Sequence, residues 1–296
     1  MRVLLIVNPR AGRGRGLASA ARAAAALRDA GWQVEQRCTA GPGDADRLAR
    51  AARNEGWDVV LGCGGDGTLS QVLAGLVDSG IPGGVIPAGT GNDFCRCVGL
   101  SRDPVAAARQ LVHGRSTPID LLEIDGGRAW AVNVMGVGFD ARVAARMNRR
   151  LRLTGGLAAY FTAVLQELAR NRATHLRLQV DEARWEGEAL LLAVANAQSY
   201  GAGMRIAPQA RIDDGLLDVV LVRPLARLAF LWSFPRVLRG THLTHPAVSS
   251  WRGRQVRIET PEPSPLLVDG DLRGQTPVSV AVASGRARLW LPAPGR

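Results

Sequence analysis

The sequence contains no lysine, because all 37 of its basic residues are arginine. This absence excludes a lysine-dependent Walker-type phosphate loop, a Schiff base with pyridoxal phosphate and a lysine general base. Any anion that the protein binds must therefore be held by arginine, by backbone N–H groups or by a metal ion.

Cysteine, histidine and long apolar runs are also scarce. The four cysteines are too few and too scattered for a disulfide framework, and Cys95-x-Cys97 lacks the second pair of a zinc site. The four histidines form no HExxH motif and no obvious triad, which disfavours metallohydrolases and histidine-based hydrolases. No run approaches ~18 apolar residues, and the N-terminal run is too short for a signal peptide. We therefore expect a cytoplasmic protein that does not span a membrane.

Length and charge narrow the class further. The chain has 296 residues, which at roughly 150 residues per domain predicts two domains, and 47% of them are hydrophobic, enough for real cores. The net charge of +11 favours an anionic partner such as nucleic acid, a nucleotide or a membrane surface. Aromatic residues make up only 5% and no nucleic-acid-binding motif appears, so we do not expect nucleic acid as a partner.

Residues 1–123 alternate between apolar runs and helical stretches rich in alanine and arginine. The predicted strands are Val3–Val7, Gln33–Cys38, Asp58–Gly62 and Gly84–Pro87, and the predicted helices are Leu17–Ala30, Asp44–Asn54, Thr68–Asp78 and Pro104–His113. This alternation predicts an α/β domain with a parallel sheet covered on both faces. Ligands of such sheets lie beyond the carboxyl ends of the strands.

Residues 124–296 change to short strands separated by turn residues, which predicts an all-β domain, a β-sandwich. The predicted strands are Ile119–Ile124, Ala129–Val134, His175–Val180, Ala189–Ala195, Leu217–Val222, Gln255–Glu259, Leu266–Val268, Val278–Val282 and Ala287–Leu291. The predicted turns between them are Asp125-Gly126-Gly127, Asp214-Gly215, Asp269-Gly270 and Ser284-Gly285. Two helices, Leu157–Arg170 and Leu225–Arg239, interrupt the strands.

The strongest chemical signal is the segment Gly62-Cys63-Gly64-Gly65-Asp66-Gly67-Thr68-Leu69, between a buried strand and a helix. Its glycines let the backbone approach a phosphate closely, and the following helix directs N–H groups and its positive dipole end at it. Asp66 would repel a phosphate, which suggests that it holds a magnesium ion or a reacting group. The alternative interpretation is a tight turn with Thr68 as the helix cap.

A second loop, Pro87-Ala88-Gly89-Thr90-Gly91-Asn92-Asp93-Phe94, follows the next strand, so its polar groups should emerge beside the first loop. A third segment, Asn8-Pro9-Arg10-Ala11-Gly12, leaves the first strand at the same edge, and Thr39 ends the second strand. Two adjacent glycine-rich loops, each with a threonine and an aspartate, are typical of a nucleotide site, although Asp93 also suits a helix N-cap. The spacing Gly12-x-Gly14-x-Gly16 differs from the GxGxxG of a dinucleotide fingerprint.

These three segments together resemble the soluble diacylglycerol kinase and sphingosine kinase group of lipid kinases, of the bacterial diacylglycerol kinase catalytic domain type. NAD kinases and 6-phosphofructokinases share the GGDG loop but not the combination. Two later segments are similar to the family's DDGLLD and DGE segments: Arg211-Ile212-Asp213-Asp214-Gly215-Leu216-Leu217-Asp218 and Val268-Asp269-Gly270-Asp271. The resemblance covers nearly the whole chain, in order.

The resemblance implies a Rossmann-like nucleotide-binding domain of the NAD kinase and diacylglycerol kinase type, followed by a β-sandwich domain. It places ATP in the crevice between the two domains. It is also compatible with a last segment of the chain that returns to the first domain. The residues that it assigns to the nucleotide are Asn8, Pro9, Arg10, Ala11, Gly12, Thr39, Gly65, Asp66, Gly67, Thr68, Leu69, Ser70, Gln71 and Thr90. The composition of the second loop adds Asn92 and Asp93.

The resemblance also implies a metal and a base. It has Mg²⁺ held by the Asp214 carboxylate and by the carbonyls of Arg211 and Leu216, whereas the same segment also suits an ordinary Asp-Gly hairpin turn. Family members generally carry glutamate where this chain has Asp271, and that residue accepts the proton of the attacking hydroxyl. We predict Asp271 as the base, supported by Asp269 if the segment stays extended, with Asp66 as a further catalytic residue.

The predicted function is ATP- and Mg²⁺-dependent phosphorylation of a lipid hydroxyl, with diacylglycerol as the leading acceptor and phosphatidic acid as its product. The alternatives are an NAD kinase-like or other polar-alcohol kinase, and a catalytically silent nucleotide- or lipid-binding sensor. The apolar faces of two helices, with Leu157, Tyr160, Phe161, Val164, Leu165 and Leu168 on one and Leu228, Leu231, Trp232, Pro235 and Leu238 on the other, suit peripheral membrane association or packing on the sandwich. A homodimer is compatible with the sequence.

Overall fold

The computed structural model describes residues 1–150, 157–170, 172–201 and 203–293. The chain divides into two compact units. Unit 1 comprises Met1–Leu121, Ile212–Asp214 and Ala283–Arg296, and unit 2 comprises Leu122–Arg211 and Gly215–Val282.

Unit 1 is built on a parallel sheet in the order β2-β1-β3-β4. Its strands are β1 (Arg2–Val7), β2 (Gln33–Cys38), β3 (Val59–Gly64) and β4 (Gly83–Pro87). Its helices are α1 (Ala11–Gly14), α2 (Gly16–Asp29), α3 (Asp44–Ala52), α4 (Asp66–Leu76), α5 (Asp93–Cys97) and α6 (Pro104–Val112). β3 and β4 are buried along their whole length, as is β1 after Arg2, because helices cover both faces. The predicted α/β architecture is confirmed.

Unit 2 contains two antiparallel sheets that share one core. The strand β5 (Arg115–Ile124) begins in unit 1 and enters unit 2 at Leu122. The other strands of unit 2 are β6 (Ala129–Ala131), β7 (Val134–Gly138), β8 (Thr174–Val180), β9 (Ala183–Ala189), β10 (Leu191–Ala195), β11 (Leu217–Val222), β12 (Val248–Gly253), β13 (Gln255–Glu259), β14 (Pro265–Val268), β15 (Asp271–Gln275) and the first part of β16 (Val278–Leu291). One sheet has the order β12-β11-β10-β7-β14-β15, and β9-β8-β13-β16 belong to the other. Alternate residues of both sheets, such as Leu178, Val194 and Val219, interdigitate in one cluster. The predicted sandwich is confirmed.

Helices cover the outer face of the six-stranded sheet. They are α7 (Phe139–Arg150), α8 (Leu157–Arg170) and α9 (Arg227–Arg239), and they pack on Ala193 and Val220 of the strands beneath. α7 and α8 are joined by the buried Glu167, whose two carboxylate oxygens each accept a hydrogen bond of 2.7 Å, one from Arg142 and one from Arg146. None of the described helices is long and apolar enough to cross a membrane.

The last strand corrects the predicted turn at Ser284-Gly285. β16 runs without a break from Val278 to Leu291. Its first residues pair with β13 of unit 2, whereas Leu289 pairs in parallel with Gly83 of unit 1. Because the two ends have different partner strands, they do not pair with each other as a hairpin.

Side-chain and backbone bonds fix the end of β16 in unit 1. Trp290 Nε1 donates to the Leu111 carbonyl at 2.9 Å, and Leu289 is 1% exposed. The guanidinium of Arg286 pairs with the Asp78 carboxylate at 2.6 Å, while the Asp78 N–H donates to the Arg286 carbonyl at 2.8 Å.

Candidate functional site

Three loops meet at the carboxyl ends of β1, β3 and β4 in unit 1. The Asn8 N–H donates to the carbonyl of Cys63 at 2.9 Å, which joins the first loop to β3. The N–H groups of Ala88 and Gly89 both donate to the Gly64 carbonyl, at 2.8 and 3.0 Å. The structure therefore brings together the three segments that the sequence singled out.

Two glycines let these loops pack backbone against backbone. Gly12 has φ +58°, and a Cβ there would lie 2.3 Å from the Ala88 carbonyl oxygen. A Cβ on Gly89 would lie 2.5 Å from the Cα of Gly65. Contacts this short leave no room for a side chain, so the loops form one continuous surface of main-chain groups.

Helix α4 begins directly behind this surface. Its first residue is Asp66, and its N-cap residue Gly65 has no side chain to cap it. The first N–H groups of a helix and its positive dipole end are suited to bind an anion. Thr68 is 6% exposed, and its hydroxyl oxygen accepts from Asn8 Nδ2 at 3.4 Å, which links the first loop to the helix.

The Asp66 carboxylate joins the first and second glycine-rich loops. One oxygen accepts from the Asp93 N–H at 3.0 Å and the other from the Phe94 N–H at 2.9 Å. Asp66 therefore caps α5, a role that the sequence analysis considered for Asp93. A carboxylate has about four lone-pair sites, so two remain for a further partner. A metal or a reacting group at Asp66 stays a prediction.

The second loop is closed by Asn92, which is 4% exposed and has φ +51°. Its Oδ1 accepts from the Gly89 N–H at 3.1 Å, and its Nδ2 donates to the Gly89 carbonyl at 3.0 Å. Thr90 is exposed in the loop that Asn92 closes. Asn92 thus has a structural role, because its side chain closes the loop through Asx-type hydrogen bonds to the Gly89 backbone.

The other residues predicted to contact the nucleotide differ in exposure. Arg10 is exposed, Asn8 and Pro9 are half-buried, and Ala11 is buried. Gly65, Gly67 and Gln71 are half-buried, whereas Leu69 and Ser70 are buried in α4. Thr39 is half-buried after β2, where its N–H donates to the Val7 carbonyl at 2.8 Å.

In unit 2, Asp269 and Gly270 form the two-residue turn between β14 and β15. Their φ angles are +47° and +90°, and Val268 pairs with Asp271 across the turn. Positive φ at both positions is the pattern of the type I′ hairpins that Asp-Gly favours. The segment is therefore not extended, so the condition under which Asp269 was expected to support Asp271 is not met.

The turn gives its two carboxylates different surroundings. Asp269 accepts hydrogen bonds from the N–H groups of Val132, Asn133 and Val134, at 2.7, 2.9 and 3.0 Å. Asp271 is exposed, and its carboxylate lies 3.1 Å from the guanidinium of Arg273. Asp269 thus binds the protein's own backbone, whereas Asp271 is open to solvent.

The same bonds explain why the predicted strand Ala129–Val134 is wrong. The structure divides it into β6 and β7, with residues 132 and 133 outside both. The amides of these two residues are bound to the Asp269 carboxylate, so they cannot continue a strand ladder. Asp269 is separated from these two residues by more than 130 positions in sequence, so no local sequence pattern indicates the contact.

The DDG segment forms an irregular turn ahead of β11, with Gly215 at φ +71°. Within unit 1, the Ile212 carbonyl accepts from the Asp120 N–H at 2.7 Å. The predicted ligands are one carboxylate, on Asp214, and two backbone carbonyls, and oxygen donors of this kind suit Mg²⁺. The described residues contain no group of three or more His, Cys, Asp or Glu side chains suited to a metal, either in this segment or outside it.

Besides Glu167, two buried carboxylates were not singled out in the sequence. Asp120 is 3% exposed in β5, where a lone acid within the apolar run Ile119-Asp120-Leu121-Leu122 was the available signal. Asp140 lies at the start of α7, and burial raises the pKa of its carboxyl to about 6. Bonds from the Ala141 N–H at 2.8 Å and the Tyr200 hydroxyl at 3.2 Å favour the ionised form and limit that rise.

The cysteines are all unpaired with one another, and two are buried near the loops. Burial raises the pKa of the Cys63 and Cys95 thiols to about 12. Both remain protonated at neutral pH, so neither serves as a nucleophile.

Comparison with known proteins identifies the family to which this architecture belongs. Residues 2–124 match the family model of the diacylglycerol kinase catalytic domain, and residues 133–290 match that of the YegS C-terminal NAD kinase beta sandwich-like domain. A Mycobacterium tuberculosis protein named diacylglycerol kinase is 36% identical over 99% of this chain and 96% of its own length. The chain belongs to the diacylglycerol kinase-like lipid kinases.

Other relatives of this lipid kinase agree. A protein of Xanthomonas euvesicatoria named probable lipid kinase YegS-like is 32% identical over 90% of this chain and 89% of its own. A solved diacylglycerol kinase structure from Bacillus anthracis covers 99% of this chain with a TM-score of 0.75, at 23% identity. A second Bacillus anthracis structure reaches 0.80 at 24% identity over 99% of this chain, and both show the same fold. The resemblance drawn from the motifs is confirmed, and the protein is an enzyme of the lipid kinase class.

Proposed function

We propose that this lipid kinase transfers the γ-phosphoryl group of ATP to a lipid hydroxyl, with diacylglycerol as the acceptor and phosphatidic acid as the product. The observation that carries the proposal is the loop assembly of unit 1, in which Asp66 bonds the loop after β3 to the loop after β4. The relatives named diacylglycerol kinase, in Mycobacterium tuberculosis and Bacillus subtilis, favour this acceptor.

The nucleotide phosphates would be held mainly by backbone groups. The first turn of α4 begins at Asp66 within these packed glycines, and its N-terminal end would complement negative charge. Since the chain has no lysine, arginine such as the exposed Arg10 would supply the remaining positive charge. Phosphoryl transfer needs positioning and charge neutralisation more than covalent chemistry, and rigid loops suit that demand.

A magnesium ion would be held by the Asp214 carboxylate and the carbonyl oxygens of Arg211 and Leu216. When bound, such an ion supplies positive charge that neutralises phosphate oxygens and orders the loop around it. The two unused lone-pair sites of Asp66 leave that carboxylate available to a second ion or to a reacting group.

Asp271 is proposed as the base. Its carboxylate would take the proton of the lipid hydroxyl as the hydroxyl oxygen bonds to the γ-phosphorus and the bond from that phosphorus to the β-phosphate oxygen breaks, releasing ADP. Asp269 would act only indirectly, because its carboxylate is already bonded to three N–H groups.

The proposal is tested by incubating the purified protein with γ-labelled ATP, Mg²⁺ and a total lipid extract, then identifying the labelled product by mass spectrometry. Labelled phosphatidic acid is the expected product. Transfer to NAD in place of lipid would favour the polar-alcohol kinase alternative. An absence of ATP turnover with every acceptor would favour the silent sensor.

Variants at position 271 test the base. Asp271→Asn keeps the size of the side chain and removes its basicity, so it should reduce transfer to a small, measurable residual rate while ATP affinity stays within a few-fold. Asp271→Glu restores the family's usual residue and should keep or raise activity. Normal turnover by Asp271→Asn together with an inactive Asp269→Asn would reverse the two roles.

A further inference from the structure

Three strand ends of unit 2 meet at the start of β7. In the six-stranded sheet β7 lies between β10 and β14, so that Val134 pairs with Ala195 and Met135 with Val268. Asn196 therefore follows directly after β10, and Asp269 follows directly after β14. Residues 132 and 133, which precede β7, are bonded by both of these polar residues.

The bonds to residues 132 and 133 come from two sides. Asp269 accepts their N–H groups, as described above. From β10, Asn196 Nδ2 donates to the Val132 carbonyl at 3.1 Å. The backbone N–H groups of Asn196 and Ala197 both donate to the Asn133 carbonyl, at 2.8 and 3.1 Å. Asn196 is 0% exposed, so water does not replace its bond.

We propose that Asn196 is a positioning residue for phosphoryl transfer. It fixes the backbone at residues 132 and 133, which fixes Asp269, and Asp269 in turn sets the hairpin turn that carries Asp271. The inference rests on the proposed function, because it requires Asp271 to be the base.

The geometry of the turn couples the position of Asp271 closely to that of Asp269. Only Gly270 separates Asp269 from Asp271, and the Asp269 N–H also donates to the Val134 carbonyl at 3.0 Å. The Asp271 side chain is one methylene shorter than glutamate, so its reach depends on where the backbone places it. A misplacement of about 1 Å at a reacting group costs roughly 10²-fold in rate.

The first variant is Asn196→Leu, which keeps a similar shape and removes the donor to the Val132 carbonyl. The expected result is a fall in kcat on the order of 10²-fold, with the KM values for ATP and for lipid within about threefold of wild type. Thermal unfolding and far-UV circular dichroism establish that the variant is folded. A merely structural residue would lower the unfolding temperature and leave kcat per folded molecule unchanged.

The matched variant is Asn196→Asp. Burial favours the neutral carboxyl, whose O–H donates to the same carbonyl, so this variant should keep its activity at low pH and lose it as the carboxyl ionises. The wild-type enzyme has no such group at position 196 and should not share that loss. If Asn196→Leu does not fold, this pH profile still decides the question.

A double-mutant cycle separates this inference from the proposed function. In an Asp271→Asn background, Asn196→Leu should cause almost no further loss, because the group that it positions is already inactive. Near wild-type kcat for a folded Asn196→Leu, or two losses that multiply fully, would overturn the role of Asn196 and leave Asp271 as the base. Wild-type turnover by Asp271→Asn would instead overturn the base and the inference together.

Discussion

The Asp66 carboxylate lies in a loop that is proposed to bind phosphate, where a negative charge is unfavourable unless something compensates for it. The structure supplies that compensation as two N–H groups at the start of α5. A helix N-terminus carries partial positive charge, so the carboxylate and α5 stabilise each other. The acid is therefore compatible with a phosphate site even before any metal is considered.

Asp66→Ala should lower kcat by on the order of 10²-fold or more, because it removes a proposed transition-state contact and separates the two glycine-rich loops. It should also lower the free energy of unfolding by about 1 kcal/mol, the usual cost of a lost helix cap. Steady-state kinetics and urea denaturation measure the two effects. Near wild-type turnover would leave the carboxylate with its capping role alone.

The buried Asp140 predicts an unusual dependence of stability on pH. Burial raises the pKa of its carboxyl to about 6, with Arg142 nearby opposing the rise, whereas an unfolded aspartate has a pKa of about 4. Between those values the folded protein keeps a proton that the unfolded chain releases, so this group's contribution to stability falls as the pH increases. The contribution of the Asp140 carboxyl to the free energy of unfolding is fully present below about pH 4 and lost by about pH 6.

The measurement is urea denaturation of wild type and Asp140→Asn from pH 4 to pH 7. The free energy of unfolding of wild type relative to the variant should decline by about 3 kcal/mol across this range, corresponding to two pKa units. Parallel pH profiles for the two proteins would show that the buried carboxyl does not titrate in this way.

Among the elements, the end of β16 completes unit 1 although residues of unit 2 separate it in sequence from the other strands of that unit. Leu289→Ala should lower the free energy of unfolding by about 2–5 kcal/mol, because it removes a fully buried side chain from the sheet. Arg286→Gln, in the same strand as Leu289, is the matched control. It breaks an exposed ion pair with Asp78, and such a pair is worth at most about 1 kcal/mol. Equal effects of the two variants would contradict the burial argument.

Elements buried on both faces were the most predictable from the sequence. β1, β3 and β4 are nearly continuous apolar runs, and the Asp-Gly pairs correctly marked the turn at residues 269–270. The missed strands β9, β12 and β15 are partly exposed and carry several charged or polar residues, so their sequences lack apolar alternation. Helix α7 was missed for a similar reason, since five of its twelve residues are charged.

The candidate site was predictable as a set of loops but not as a network. Glycine-rich segments after parallel strands identify the loops, because those strand ends share one edge of the sheet. The bonds from Asp66 to α5, and from Asp269 to residues 132–134, join segments far apart in sequence. Their partners are backbone N–H groups, which every residue except proline possesses, so side-chain identity carries no signal for them.

At the scale of the whole molecule, the net charge of +11 and the exposed arginines of α9 predict binding to anionic membranes. Leu238 of α9 is 46% exposed next to Arg239, and Leu165 of α8 is 55% exposed, whereas Leu168 of α8 is buried against the sheet. The side chains of Leu157, Tyr160, Phe161, Leu228, Leu231 and Trp232 lie outside the described residues. We propose α9 as the helix that contacts the lipid surface.

Sedimentation with vesicles tests this proposal. Binding should require anionic lipid and weaken with added salt, since charge attraction fades beyond a Debye length of about 8 Å at physiological ionic strength. The double variant Arg236→Gln and Arg239→Gln should weaken binding roughly 30-fold, from about 1 kcal/mol for each arginine. Arg102→Gln with Arg109→Gln changes the net charge equally and should have a smaller effect. Equal losses would assign binding to net charge alone.

The division of unit 1 among separate stretches of chain has a consequence for biosynthesis. Its parallel sheet lacks the neighbour of β4 until residues after Ala283 have been translated, and all of residues 122–282 are made in between. At typical rates of 5–20 residues per second, that interval is roughly 10–30 s. Throughout it, the β4 edge of the nascent sheet has open hydrogen-bonding groups in addition to those of the edge strand β2, so the ribosome-bound chain is exposed to mispairing at β4.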